Sequence, residues 1–164
     1  MNKRLKQISL TLMLMIIIGI IIPTNVSAQG VYSRTVEYIG DGIICETIIE
    51  ETPTINAPDL GRSSSTKTKS GSKTVTYQNG AGQTLWSVKV TGNFKYNGTT
   101  SSCTSSTVTA TSSNSTWKIS NKSSSYSGNT AKATATGKQY SGKTVIFTLT
   151  KTVGISCSKN GTLS

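Results

Sequence analysis

The chain has 164 residues, of which 17 are lysine or arginine, 6 are aspartate or glutamate and none is histidine, so its formal net charge is +11. The absence of histidine excludes the Ser-His-Asp and Cys-His arrangements of many hydrolases. The 3 cysteines lack CxxC spacing and do not indicate a metal site. No phosphate-binding loop or dinucleotide fingerprint is present. The sequence therefore predicts a protein that is not an enzyme, has no catalytic residue and binds no cofactor or metal.

Residues 1–28 have the pattern of a secretory signal peptide. They begin with the basic stretch MNKRLK, continue with an apolar stretch from Ile8 to Ile22 and end in Val26-Ser27-Ala28. The alternative is an uncleaved membrane anchor, but the apolar stretch is short for a transmembrane helix of about 20 residues. We therefore expect cleavage after Ala28 and secretion of the mature chain without a transmembrane anchor.

Residues 29–59 form an acidic segment. They contain all six carboxylates of the chain and one arginine, a net charge of −5. Two apolar runs flank Gly40-Asp41-Gly42, a pattern typical of a β-hairpin, and the alternative is a disordered segment. The following residues 60–72 are rich in glycine, serine and threonine and lack periodicity, which predicts a linker.

Residues 73–164 are predicted to form one basic, all-β domain. Apolar and polar residues alternate strictly from Trp86 to Tyr96, as expected for a strand with one buried and one solvated face. Further strands are predicted at 73–77, 104–110, 117–120, 130–136 and 143–157. Short strands at this spacing, without a helical pattern, indicate an antiparallel β-sandwich, which we expect to be immunoglobulin-like.

The predicted core consists of the large apolar side chains that share one parity along these strands. They are Trp86, Val88, Val90, Phe94, Tyr96, Trp117, Val145, Phe147, Leu149, Val153 and Ile155. Lys151 interrupts the apolar parity of the last strand, which predicts a β-bulge or bend near it.

The cysteines predict one disulfide bond. Cys103 follows the first long strand, and Cys157 ends the last one on its apolar parity. In a secreted chain such a pair is expected to be bonded, and closing this loop would be worth roughly 4 kcal/mol in the chain-entropy model. Cys45 is then left over, most simply as a free thiol that is exposed or half-buried against the hairpin. The alternatives are an intermolecular disulfide or exchange with the Cys103–Cys157 pair.

Residues 60–164 contain 13 lysines and arginines and no carboxylate. Six lysines are candidates for an anion-binding face: Lys89, Lys95, Lys118, Lys122, Lys132 and Lys138. The simpler interpretation is that lysines keep the sheet soluble and blunt its edges. A charge of +13 should nevertheless attract polyanions. The expected partner is an anionic cell-wall polymer or another polyanion, and the scarcity of exposed aromatic residues argues against specific nucleic-acid recognition.

Two functions from different classes follow. The favoured one is a secreted, non-catalytic β-sandwich protein that binds cell-envelope or extracellular polyanions. The alternative is a secreted cationic antibacterial effector, and an enzyme ranks third. We also expect the acidic segment to dock loosely on the basic face, as an added edge strand, and to compete there with an anionic partner.

Five spaced elements carry a resemblance: EYIGDG…ETIIEE from Glu37, TKTKSGSKTVTYQNGAGQTLWSVKVTGNFKYNGTTSSCTSS ending at Ser106, Trp117-x-Ile119, SGNTAKATATGKQY ending at Tyr140, and the closing CSKNGTLS. In them the chain resembles a family of small secreted proteins from Gram-positive (Firmicutes) gut bacteria, a family without an assigned function. The resemblance implies a bacterial source, a single domain and the Cys103–Cys157 pair. It implies no catalytic residue.

Overall fold

The structure, a computed structural model, describes residues 30–40, 42–52 and 66–164. Within these ranges the chain forms eight β-strands, and no helix is long and apolar enough to cross a membrane. The predicted signal peptide (residues 1–28) and the first part of the predicted linker (60–65) lie outside the described residues. The strands are β1 (Val31–Gly40), β2 (Ile43–Thr52), β3 (Lys67–Asn79), β4 (Thr84–Tyr96), β5 (Ser101–Thr111), β6 (Trp117–Ser127), β7 (Thr130–Ser141) and β8 (Thr144–Ser156).

The strands form two antiparallel sheets that pack against each other. Strands β1 to β5 make a five-stranded sheet, and β6 to β8 make a three-stranded sheet, each in chain order. We call the face that a sheet turns toward the other sheet its inner face and the opposite one its outer face. The predicted antiparallel β-sandwich is confirmed. Its strand order differs from that of the immunoglobulin fold, because within each sheet the described strands pair in chain order, without a Greek-key crossover.

The acidic segment is part of the five-stranded sheet. Its two strands form a hairpin, and β2 pairs with β3 along its whole length, from Ile43 opposite Asn79 to Thr52 opposite Ser70. The linker prediction is wrong for residues 67–72, because β3 already begins at Lys67. Pairing with β4 holds residues 67–72 extended, and residues 70–72 also pair with β2 on the other side.

Most of the predicted core is buried. The seven predicted core residues that are buried are Trp86, Val88, Val90, Phe94, Trp117, Val153 and Ile155. Tyr96 and Leu149 are partly buried and pack against that cluster. Other buried residues complete the core, among them Tyr77 on β3, the alanines Ala131 and Ala133 on β7, and Leu163 at the end of the chain.

Two predicted core residues are instead exposed. Val145 and Phe147 have exposed fractions of 42% and 41%. Phe147 keeps the inner-face parity, opposite Gln139, near the end of the sheet. The exposure of Val145 is caused by a bulge at Ile146, which has no partner in the ladder while its two neighbours do. The extra residue shifts the parity, so that Val145 lies opposite Tyr140 on the outer face. The bulge was expected near Lys151, but the ladder is regular there.

A stack of aromatic rings crosses the core. The ring centroids of Tyr77 and Trp86 are 4.8 Å apart, and those of Trp86 and Trp117 are 6.4 Å apart, with the planes nearly parallel in both pairs. Gly137 on β7 leaves the space that Trp86 occupies, since a Cβ there would lie 2.6 Å from the indole Cε2. The stack therefore joins the two sheets at one end of the sandwich.

Candidate functional site

Three of the six candidate lysines lie on the outer face of the three-stranded sheet. Lys132 and Lys138 alternate along β7 with the buried alanines of the inner face. Lys118 on β6 lies directly opposite Lys138. Because a strand rises about 3.3 Å per residue, Lys132 and Lys138 mark the ends of a track of about 20 Å along β7.

Threonine hydroxyls fill the track between these two lysines. The Oγ1 atoms of Thr134 and Thr152 are 2.7 Å apart, and those of Thr136 and Thr150 are 2.9 Å apart. Each pair links β7 to β8 on the outer face. The candidate site residues from the sequence do not include these threonines, although Thr134 and Thr136 share the parity of Lys132 along β7. The surface therefore combines positive charges at its ends with neutral hydrogen-bonding groups between them.

Lys118 and Lys138 face each other with the same charge. Like charges directly opposite in a sheet are destabilising, unless something compensates them. Lys118 is partly compensated, because its Nζ lies 5.1 Å from the ring centroid of Tyr140, within the range of a cation–π contact. An anion held between Lys118 and Lys138 would remove the remaining repulsion.

Lys122 lies in a β-bulge on β6. The register shifts between Ser120 and Ser123, which leaves Asn121 and Lys122 without partners in the ladder. Asn121 has a positive φ of 52°, which asparagine tolerates better than most residues. Lys122 is exposed and adds positive charge to β6, but it is not part of the cross-strand row of Lys118 and Lys138.

Lys89 and Lys95 lie elsewhere. Both are on β4, where they alternate with the buried residues of the inner face, so they belong to the outer face of the five-stranded sheet. The outer faces of a sandwich point in opposite directions, so the prediction that all six lysines share one face is wrong. Alternation along each strand identified the solvated side chains correctly. It could not show which strands belong to the same sheet.

The carboxylates of the acidic hairpin pair within the five-stranded sheet. Lys89 Nζ is 3.0 Å from an oxygen of Glu50, and Lys69 Nζ is 2.8 Å from one of Glu51. The Lys89 ammonium is also the main reason why the pKa of Glu50 is lowered from its usual 4.5. Residues 117–156, which span β6 to β8, contain no aspartate or glutamate. The lysines of the three-stranded sheet are therefore uncompensated within their own sheet.

The three cysteines are free and buried. The predicted disulfide between Cys103 and Cys157 is thus not formed in the structure. Each thiol instead contacts a backbone carbonyl oxygen, at 3.2 Å from Cys103 Sγ to Ser105 and 3.5 Å from Cys157 Sγ to Ser158. The third cysteine, Cys45, is only 4% exposed, which rules out an exposed thiol. Burial raises the pKa of Cys45 and of Cys103.

Cys103 and Cys157 nevertheless meet at the same turn. The backbone N–H of Cys103 donates to Gly128 O at 2.7 Å, and that of Cys157 donates to Asn129 O at 3.0 Å. Gly128 and Asn129 are consecutive residues between β6 and β7. The turn therefore brings together the beginning of β5 and the end of β8, as the sequence-based pairing requires.

In the described ranges, no group of three or more histidine, cysteine or acidic side chains is placed to hold a metal ion. No protein-family model, no curated protein and no solved structure shows significant similarity to the chain. The functional argument consequently rests on the geometry and charge of the site.

Proposed function

We propose that this chain is a secreted, non-catalytic binding protein, and that it holds anionic polymers of the cell envelope or the extracellular space on the outer face of its three-stranded sheet. The observation that carries this proposal is the separation of charge between the sheets. The described carboxylates lie on the five-stranded sheet, whereas Lys118, Lys132 and Lys138 share a face without any.

The geometry favours a linear polyanion over a small anion. The lysines stand at the two ends of the hydroxyl track, about 20 Å apart along the strand. A single phosphate could contact one end only, whereas a chain with repeated negative groups could contact both ends. Lysine acts as a point charge on a flexible stem, so recognition should depend on charge spacing rather than on one rigid ligand geometry.

The acidic hairpin does not cover this face. It extends the opposite sheet and pairs with Lys69 and Lys89 there. We therefore propose that the hairpin directs polyanions to the three-stranded sheet by neutralising lysines of the five-stranded one. This role differs from the one expected from the sequence, in which the acidic segment docks on the basic face and competes there with an anionic partner.

Charge-matched variants test the proposal. The first is the mature chain with Lys118→Gln, Lys132→Gln and Lys138→Gln, and the control carries Lys89→Gln, Lys95→Gln and Lys159→Gln. Both lose the same charge, and both are applied to immobilised inorganic polyphosphate and eluted with a salt gradient. We expect the first variant to elute at clearly lower salt and the control to elute near the unmodified protein. Equal shifts would show that net charge alone governs binding.

A second candidate function, a cationic effector that acts on anionic membranes, is favoured by one observation. Val145, Ile146 and Phe147 are exposed at one end of the same cationic sheet, with exposed fractions of 42%, 57% and 41%. Apolar side chains beside lysines are suited to an anionic lipid surface. Leakage of dye from vesicles with phosphatidylglycerol, but not from vesicles of phosphatidylcholine alone, would support this function over polymer binding.

The proposal places the protein outside the cell, on the strength of the signal-peptide pattern in residues 1–28. In that oxidising compartment we expect Cys103 and Cys157 to be joined, because the turn at Gly128 and Asn129 already holds their backbones. The bond would tie β5 to the end of β8, and hence the two sheets to each other.

A further inference from the structure

A cavity of about 430 Å³ opens at one end of the sandwich. The turns that join β1 to β2 and β3 to β4 form one side of it, and the loop between β5 and β6 forms another. Its volume falls within the range of about 300–1,000 Å³ that is usual for small-molecule sites. It is separate from the track of lysines and threonines, which lies on the outer face.

The floor of the cavity is a single cross-strand row of the three-stranded sheet. Trp117 on β6 lies opposite Gln139 on β7, and Gln139 lies opposite Phe147 on β8. The rings of Trp117 and Phe147 meet edge to face, with centroids 6.0 Å apart. The row therefore presents a carboxamide with an aromatic side chain on each side of it.

Several polar groups at the cavity have unused hydrogen-bonding capacity. Trp117 Nε1 is buried and has no acceptor among the described residues. The side-chain amide of Gln139 makes no hydrogen bond within the described part of the chain. Asn114 Oδ1 accepts from the backbone N–H of Thr116 at 2.9 Å and from its hydroxyl at 2.7 Å, which leaves Asn114 Nδ2 as a donor.

Buried polar groups in folded proteins nearly always have partners, so the buried Trp117 Nε1 calls for a ligand or ordered water. The partly buried amides of Gln139 and Asn114 can bind the same molecule. The described residues that line the cavity include no lysine, arginine or acidic side chain. Ile43, Leu85 and Ile146 add apolar lining, and Asn79 and Thr116 add polar lining. The cavity is therefore suited to a neutral molecule that has both hydroxyl groups and apolar faces.

We infer that this cavity binds a neutral pyranose sugar. The C–H face of the ring packs against Phe147, which is 41% exposed, beside the nearly buried Trp117. The ring hydroxyls exchange hydrogen bonds with the amides of Gln139 and Asn114. This site is independent of the proposed polyanion surface, and together the two would let one small domain recognise both the charged and the neutral units of a polysaccharide envelope.

Fluorescence and NMR titrations of the mature chain with cellobiose and with N,N′-diacetylchitobiose test this inference. The chain has 2 tryptophans, and only Trp117 lines the cavity, so Trp86 serves as an internal reference. We expect at least one sugar to give a saturable fluorescence change and to shift the indole N–H resonance of Trp117 more than that of Trp86. A linear change equal to that of glycerol at the same concentration would overturn the inference.

Variants locate the site. Gln139→Ala should weaken sugar binding about tenfold, the factor that corresponds to about 1.4 kcal/mol for one lost hydrogen bond. Asn160→Ala removes an exposed amide from the C-terminal tail and should have no effect. The Lys118, Lys132 and Lys138 triple variant should bind sugar normally, which separates this inference from the proposed function. Unchanged affinity in Gln139→Ala would contradict the assignment of the cavity.

Discussion

Gly137 is one of the residues on which close packing of the two sheets depends. Trp86 is fully buried and stacked between Tyr77 and Trp117, so its indole has no room to move away from β7. A Cβ at position 137 would approach the indole to 2.6 Å at Cε2 and 2.8 Å at Nε1. The absence of a side chain at this position is therefore a packing requirement.

We expect Gly137→Ala to lower the free energy of unfolding by about 1–3 kcal/mol, the usual cost of overpacking a core. The matched control is Gly154→Ala on the neighbouring strand, where an added Cβ would meet its nearest atoms at 3.7–3.9 Å. The control should be neutral or slightly stabilising, since alanine reduces the entropy of the unfolded chain. Urea denaturation measures both variants, and equal losses would contradict this account of the stack.

The ion pair of Glu50 leads to a prediction about the pH at which this carboxyl group titrates. Lys89 holds its pKa below the usual 4.5, with Ser72 Oγ as a further hydrogen-bond donor at 3.2 Å. A carboxyl group whose folded-state pKa is lowered stabilises the fold above its unfolded-state pKa, and this stabilisation is lost as the pH falls through the folded-state pKa. NMR titration of the Glu50 carboxyl carbon should thus give a midpoint below 4.5.

The variant Lys89→Met should move that midpoint back up toward the usual value. Lys95→Met, which removes a lysine from the same face of β4, should leave it nearly unchanged. A midpoint that stays low in Lys89→Met would mean that another group stabilises the Glu50 carboxylate.

Single residues also show which features of the fold can be predicted from the sequence and which cannot. Trp86, Val88 and Val90 were predicted to be buried because strict alternation leaves no other face for them. Val145 was placed in the core by the same rule, but one unpaired residue at Ile146 reversed its parity. Such a bulge depends on how β8 matches the length and twist of β7. The alternation of residues along a single strand gives no information about this match.

At the scale of elements, the acidic hairpin is an integral part of the sheet. Its β2 strand pairs with β3 over ten residues, and Cys45 and Ile49 are buried in the core. The sequence predicted the hairpin from Gly40-Asp41-Gly42 and its flanking apolar runs. It could not predict the length of the pairing, because residues 67–72 have the composition of a linker and become a strand only through their neighbours.

Substitutions in the hairpin measure this integration. Ile49→Ala should lower the free energy of unfolding by about 2 kcal/mol, the lower end of the range for large-to-small core changes, because Ile49 lies near the edge of the core. Ile39→Ala is the control in the same hairpin, since Ile39 is 48% exposed and should contribute little. Thermal unfolding followed by circular dichroism gives both values. A hairpin that merely docks loosely would make both substitutions neutral.

The turn between β6 and β7 leads to a prediction about the cysteines. In a glutathione buffer, the thiols of Cys103 and Cys157 should lose two protons and two electrons to oxidised glutathione, which is reduced to two glutathione molecules, and the two sulfur atoms should become joined. Peptide mapping by mass spectrometry without reduction should find this link and a free Cys45. The melting temperature should rise, by an amount that corresponds to at most about 4 kcal/mol. A link to Cys45, or no link at all, would contradict the prediction.

For the whole molecule, the central feature is the distribution of charge over the two sheets. The sequence already contained the imbalance, with all carboxylates before residue 60 and thirteen basic residues after it. It did not contain the arrangement, because pairing of the hairpin with β3 places Glu51 and Glu50 beside Lys69 and Lys89, within the five-stranded sheet. Lys118, Lys132 and Lys138 therefore share one face, Lys122 lies in a bulge of the same sheet, and Lys89 and Lys95 lie on the other sheet.

The most direct test of the central claim is to map polyanion binding on the unmodified mature chain. Inorganic polyphosphate is added to the isotope-labelled protein at low salt, and the amide resonances are followed by NMR. We expect the largest shifts along β6 to β8 at Lys118, Lys132 and Lys138, small shifts at Lys89 and Lys95, and loss of the shifts at high salt. Shifts that are as large on β4 as on β7 would show that the polymer binds both faces indiscriminately, and the proposed binding surface would then be wrong.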